Sequence, residues 1–204
     1  MLTVEEVKNS NSIYRIPSYV HVNKGILFDY RLFETLTHTG KRANNDFNYD
    51  FDVYLPKYDI NLQRPYVWEH SQQNEFIKSI LIDKQLEPVV IVQHIDDYKD
   101  RNNSISYIID GKQRLMTIIK FANNEFPVNI NGQDYYWKDF SENLQHYFAS
   151  RVNYMTATVY YSYPDALVDD DMKIILFNYY NFSGTPQTEE HKNKLQSLLK
   201  KQDD

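Results

Sequence analysis

Apolar positions along this chain fall into short groups whose spacing changes from one stretch to the next. After Trp68, the stretch SQQNEFIKSIL sets Phe76, Ile77, Ile80 and Leu81 on one helical face behind a Ser71 able to cap it, which predicts a helix over about 71–82. PVVIVQHI, opening at Pro88, and ISYIID, ending at Asp110, are β-branched runs separated by DDYKDRNNS, and they predict two adjacent antiparallel strands. Leu115, Ile118, Ile119 and Ala122 then follow the i, i+3, i+4, i+7 pattern of a helix that fades at Asn123-Asn124. Asn131-Gly132 between alternating segments predicts a hairpin, YMTATVYY a further strand, and two helices are expected over 165–180 and 187–201. Residues 1–50 offer only short clusters, Ile26-Leu27-Phe28 and Leu32-Phe33, broken by the polar THTGKRANNDFN. The expected class is α+β, with an N-terminal arm over 1–50, a core over 51–140 and a mostly helical extension over 141–204.

Composition narrows the chemistry. With 204 residues, 42% of them apolar, the chain can bury a sizeable core. No apolar run approaches the roughly eighteen residues that would cross a bilayer, and the start, MLTVEEVKNSNS, lacks the order of a signal peptide. A cytoplasmic protein without membrane contact is expected. The absence of cysteine excludes disulfides, thiolate zinc sites and thiol nucleophiles. Histidines at 21, 38, 70, 94, 146 and 191 are scattered and form no His-Asn-His arrangement. A net charge of -6 argues against general DNA binding by this chain alone, while leaving room for a local basic site.

One such site is suggested by IIDGKQRLMTIIKF. Asp110 can cap the following helix while Gln113 reaches back, a reciprocal Asp-x-x-Gln box that needs no ligand. Alternatively, the free N–H groups of the helix start attract an anion, because Lys112 and Arg114 oppose the helix dipole unless something negative sits among them. Gly111 would then let a ligand approach the backbone, and the Arg114 fork would grip a phosphate while adding little to the stability of the unliganded fold. In NLQRPYVWE, Tyr66 and Trp68 can be core aromatics of a Pro-containing turn, or Arg64 can be a second phosphate ligand. In FNYYNFSGTPQTEE, one helix ends near Asn181 and Gly184 and another starts at Thr185-Pro186.

These three stretches resemble, in order, the motifs of the ParB/sulfiredoxin-like DGQQR family, the N-terminal domain of GmrSD-type and SspE-type restriction proteins. Gln63-Arg64-Pro65-Tyr66-Val67-Trp68 is similar to the family's Gln-Arg-x-Tyr-x-Trp. Asp110-Gly111-Lys112-Gln113-Arg114-Leu115-Met116-Thr117 is similar to Asp-Gly-Gln-Gln-Arg-x-x-Thr, and Phe177, Asn181, Gly184 and Thr185 to a later Phe-x-x-x-Asn-x-x-Gly-Thr. The resemblance implies a ParB/sulfiredoxin-like mixed small sheet with flanking helices. It implies a nucleoside triphosphate ligand with Mg²⁺, bound by Gln63, Arg64, Tyr66, Trp68, Gly111, Lys112, Thr117, Asn181, Gly184 and Thr185. Asp110, Gln113 and Arg114 would be the catalytic residues, with Asp110 the metal ligand. Two departures weigh against transferring hydrolysis: Lys112 replaces a Gln, and Tyr179 stands where an Arg often precedes the Asn. Restriction members carry a C-terminal HNH-type nuclease domain, for which this chain is too short, so a nuclease or other defence component on another chain is the expected protein partner.

Three functions compete at this point. The first is a nucleotide-binding module, with or without NTPase activity, that senses or regulates in DNA restriction or phage defence. The second is a non-enzymatic interaction or inhibitor protein that keeps the fold. The third is a stand-alone ParB-like nuclease, which would need Asp110 to converge with Asp96 or Asp97 on a metal; DNA cutting by this chain alone is not expected.

Overall fold

The computed structural model describes residues 20–27, 32–33, 48–95, 105–181 and 197. It is an α+β fold. In chain order the strands are β1 (His21–Leu27), β2 (Asn48–Asp50), β3 (Tyr54–Leu55), β4 (Ile60–Asn61), β5 (Val89–His94), β6 (Ile105–Asp110), β7 (Val128–Ile130), β8 (Gln133–Tyr135) and β9 (Thr156–Ser162). The helices are α1 (His70–Leu81), α2 (Lys112–Ala122), α3 (Glu142–Asn153) and α4 (Asp170–Asn181), with a 3₁₀ turn at Trp137–Asp139. Five strands form a mixed sheet in the order β1-β9-β5-β6-β2, and β3-β4 and β7-β8 are separate two-stranded ribbons. β5 pairs antiparallel with β6 and parallel with β9, while β1 lies antiparallel on β9 and β2 parallel on β6.

The continuous β-branched run of β5 has a direct cause: its two faces are both buried. Val89 and Ile91 belong to one apolar cluster, with Ile77 and Ile80 of α1, Leu115, Ile118 and Phe121 of α2, and Phe148 and Val152 of α3. Val90 and Val92 belong to a second cluster, with Val53, Leu55 and Leu62 around the β3-β4 ribbon and Met172, Ile174, Leu176 and Phe177 of α4. Side chains alternate across a strand, so a strand packed on both faces loses the alternating pattern of a half-exposed one.

The paired strands 89–94 and 105–110, the helix after Gly111, the hairpin and the strand after Met155 all form as their spacing predicts. The hairpin turns at Asn131 (φ 54) and Gly132 (φ 84), as a two-residue turn with both central residues left-handed should. Two expectations are corrected and one helix is new. α1 is capped by Glu69, whose side chain and that of Gln72 form a reciprocal box, so Ser71 lies inside the first turn. α4 begins at Asp170 rather than near 165, because Asp169 takes the capping role: its carboxylate accepts the Met172 N–H at 2.9 Å. α3 was not anticipated; its face is mostly polar, and Phe148 and Val152 alone are buried. The sheet draws strands from all three segments outlined above, with β1 and β2 from the first fifty residues at its two edges and β9 between β1 and β5. The helix expected over 187–201 lies outside the described residues but for 197. No helix among the described residues is long and apolar enough to cross a membrane.

Candidate functional site

β6 and α2 meet at Gly111, which adopts φ 106 and ψ 1 and is the helix N-cap, its carbonyl accepting the Leu115 N–H at 2.9 Å. A Cβ there would lie 2.9 Å from Val89 Cγ1, so both the backbone conformation and the contact with β5 call for glycine. The expected Asp110–Gln113 capping box does not form, and no side chain caps α2. The left-handed glycine moves the cap one residue on and takes Asp110 out of reach of the first-turn N–H groups. Asp110 Oδ2 accepts instead from Arg114 Nη2 at 2.7 Å. Gln113 spans to the segment before α1, its Nε2 donating to Pro65 O at 3.1 Å and its Oε1 accepting from Val67 N at 2.9 Å.

Both cations of the turn are balanced by the chain itself. Lys112 is 7% exposed, and its Nζ lies 2.6 Å from Asp52 Oδ1. Arg114, 13% exposed, donates to the carbonyl of Glu87, to that of Pro88 at 3.2 Å and to Asp110. The argument that two cations at a helix start require a bound anion is therefore corrected: Asp52, 60 residues away, supplies the negative charge for Lys112, and Asp110, four residues back, supplies it for Arg114. The three bonds of Arg114 to the chain run against the expectation that it adds little to the unliganded fold.

A cleft of about 710 Å³ opens at this turn. Of the residues singled out from sequence, Gln63, Arg64, Trp68, Asp110, Gly111, Lys112, Gln113, Arg114 and Asn181 line it. Gln63 Nε2 donates to the carbonyls of Ile108 (2.6 Å) and Ile109 (2.8 Å), and Asn181 Nδ2 to those of Ile109 (3.4 Å) and Phe177 (3.0 Å), so both amides are anchored at the end of β6. Trp68 stands edge-on to Phe76 with ring centroids 5.4 Å apart. Tyr66 and Thr117 are not in the lining. Their hydroxyls bond each other at 2.8 Å, Gln73 Nε2 donates to Tyr66, and Thr117 is buried. Gly184 and Thr185 lie outside the described residues.

Sequence reasoning passed over the wall formed by the α1–β5 connection, which brings Lys84, Glu87 and Pro88 into the lining, and over Tyr180 on α4. The Tyr180 hydroxyl lies 2.6 Å from that of Tyr160, whose phenol pKa is pushed up by burial and further by this bond. Arg64 is half-buried in the lining and makes no ion pair or hydrogen bond among the described residues. Among those residues no three His, Asp or Glu side chains gather as a metal site. Asp96 and Asp97 lie outside them.

Residues 45–200 match the family described as the GmrSD restriction endonuclease, N-terminal domain. The chain belongs to this family. Membership in the GmrSD N-terminal-domain family sets the protein in the context of restriction and phage defence, and the matched span includes the three ordered motifs and the described cleft. No curated protein and no solved structure matches the chain.

Proposed function

We propose that this GmrSD-family chain binds a nucleoside triphosphate or another polyphosphate in the cleft at the 110–114 turn, as the sensing or regulatory module of a restriction or defence system whose nuclease or other effector is its protein partner. Arg64 carries this reading. It is a guanidinium with no carboxylate or carbonyl partner among the described residues, and it lines a cleft beside the start of a helix, where backbone N–H groups and the helix dipole already favour an anion. Local charge supports it: with Lys112 paired to Asp52 and Arg114 to Asp110, the lining still holds Arg64 and Lys84 against one further carboxylate, Glu87, although the chain as a whole carries -6. Trp68 offers a ring beside which a base can lie. A kinship with ParB/sulfiredoxin-like folds is part of the same proposal.

Mg²⁺ fits this site only as a companion of the ligand. Magnesium is commonly held by one or two carboxylates plus substrate phosphates, and Asp110 is the carboxylate at the turn itself, partly exposed and already accepting from Arg114. Binding is favoured over turnover, because both amide atoms of Gln113 are committed to the backbone at 65 and 67 and Asp110 to Arg114. Hydrolysis would require those groups to change partners.

The test is a thermal-shift screen against all nucleoside triphosphates, with and without Mg²⁺. A ligand held at ten to a hundred times its Kd should stabilise the fold by roughly 1.4 to 2.7 kcal/mol. No shift with any of them at millimolar concentration would remove the reading, and release of phosphate from a bound triphosphate would restore the NTPase.

A further inference from the structure

The α1–β5 connection delivers a second uncommitted cation to the cleft. α1 ends in a Schellman arrangement: the Lys84 N–H donates to Ser79 O at 2.9 Å and the Asp83 N–H to Ile80 O at 3.2 Å, with Asp83 left-handed at φ 59. The backbone of Lys84 is thereby set at the point where the helix stops. Its neighbouring carboxylate, Asp83, is drawn away to Arg151 on α3. The Lys84 side chain is exposed, lines the cleft, and makes no ion pair or hydrogen bond among the described residues.

Its place relative to Arg64 follows from the bonds of the turn. Gln113 holds the segment that carries Arg64, through Pro65 and Val67. Arg114 holds the connection that carries Lys84, through the carbonyls of Glu87 and Pro88. The start of α2 is therefore bracketed by two segments, each bringing one free cation. A lone phosphate is served by one of them together with the helix-start N–H groups. Two cations on separate flanks suit a chain of phosphates that crosses the helix start. We infer that Lys84 contacts the outer phosphate of a polyphosphate chain whose inner phosphates lie toward Arg64, and that it makes the cleft select triphosphates over monophosphates. The inference rests on the nucleotide-binding reading and deepens it.

The experiment is calorimetric titration of the chain with ATP, GTP, CTP and UTP, their monophosphates and inorganic tripolyphosphate, using wild type, Lys84→Ala, Lys84→Arg and Arg64→Ala. Circular-dichroism melts check that the exposed Lys84 substitutions leave the fold intact, and Lys84→Gln stands in if Lys84→Ala does not fold. Lys84→Ala should weaken the bound triphosphate about tenfold, the equivalent of one charge-assisted contact. Monophosphate affinity should stay unchanged, Lys84→Arg should restore the triphosphate, and Arg64→Ala should weaken both classes. Unchanged triphosphate affinity in Lys84→Ala, or an equal loss for mono- and triphosphate, overturns the role of Lys84 while leaving the nucleotide reading standing. A wild-type chain that binds none of these probes removes both.

Discussion

Arg114 ties three points of the chain to one side chain: the carboxylate of Asp110 at the end of β6, and the carbonyls of Glu87 and Pro88 at the entry to β5. Arg114→Ala should therefore destabilise the unliganded protein by about 1.5–3 kcal/mol, the range for hydrogen bonds to a charged group. Arg114→Lys should recover little of this, because an ammonium lacks the planar fork that reaches carboxylate and carbonyls together. Urea unfolding of the two variants measures it, and an unchanged midpoint for Arg114→Ala would return Arg114 to the role of a ligand-only residue. The turn was legible as unusual, since Asp110, Gly111, Lys112, Gln113 and Arg114 crowd a strand-to-helix junction. Their partners were not: Lys112 reaches across 60 residues to Asp52, Gln113 across 48 to Pro65, and Arg114 across 27 to Glu87. Nothing in the local pattern distinguishes a cation awaiting a phosphate from one already facing a distant carboxylate.

Two turns between elements both place glycine at positive φ, and the structure separates what each requires. At Gly132, in the β7–β8 hairpin, an added Cβ meets nothing within 4 Å, so Gly132→Ala should lose only the cost of a left-handed residue, about 1–2 kcal/mol. At Gly111, between β6 and α2, the same change adds a clash with Val89 on β5. Gly111→Ala should lose a further 1–3 kcal/mol or so for overpacking. Denaturant midpoints should order wild type above Gly132→Ala above Gly111→Ala, and equal losses would show that β5 yields at no cost. Elements closed by neighbours in sequence were readable: the hairpin from Asn131-Gly132, α2 from the spacing of Leu115 and Ile118, β5 from its β-branched run. α3 was missed because an apolar face made chiefly of Phe148 and Val152 is a weak periodic signal, and its Ser141 cap becomes evident only from the bond to the Leu144 N–H.

Across the whole molecule, the sheet and α4 meet at the paired hydroxyls of Tyr160 and Tyr180. Burial holds the Tyr160 phenol protonated well above its ordinary value of 10.0. A group that keeps its proton when folded but loses it when unfolded leaves stability intact below pH about 10 and draws it down as the pH rises further, by up to about 1.4 kcal/mol per pH unit. Tyr58, raised by burial and by its bond to Asp171, acts in the same direction. Wild type should lose melting temperature steeply above pH 10, and Tyr160→Phe should flatten part of that fall; parallel pH profiles for the two proteins would refute the assignment. At this scale the division between sequence and fold is plain. The sequence by itself determined the α+β class, the helices and strands from Trp68 to the strand after Met155, α3 excepted, and the family, through the ordered stretches containing Arg64, Asp110 and Asn181. Those signals lie within a few residues of one another and depend only on backbone periods and turn conformations. Only the tertiary structure decided that β1 and β9 join β5 in one sheet, that Lys112 is balanced by Asp52, and that Arg64 and Lys84 are left uncommitted in the cleft. The pairing of a charge depends on distances that exist only once segments tens of residues apart have packed together.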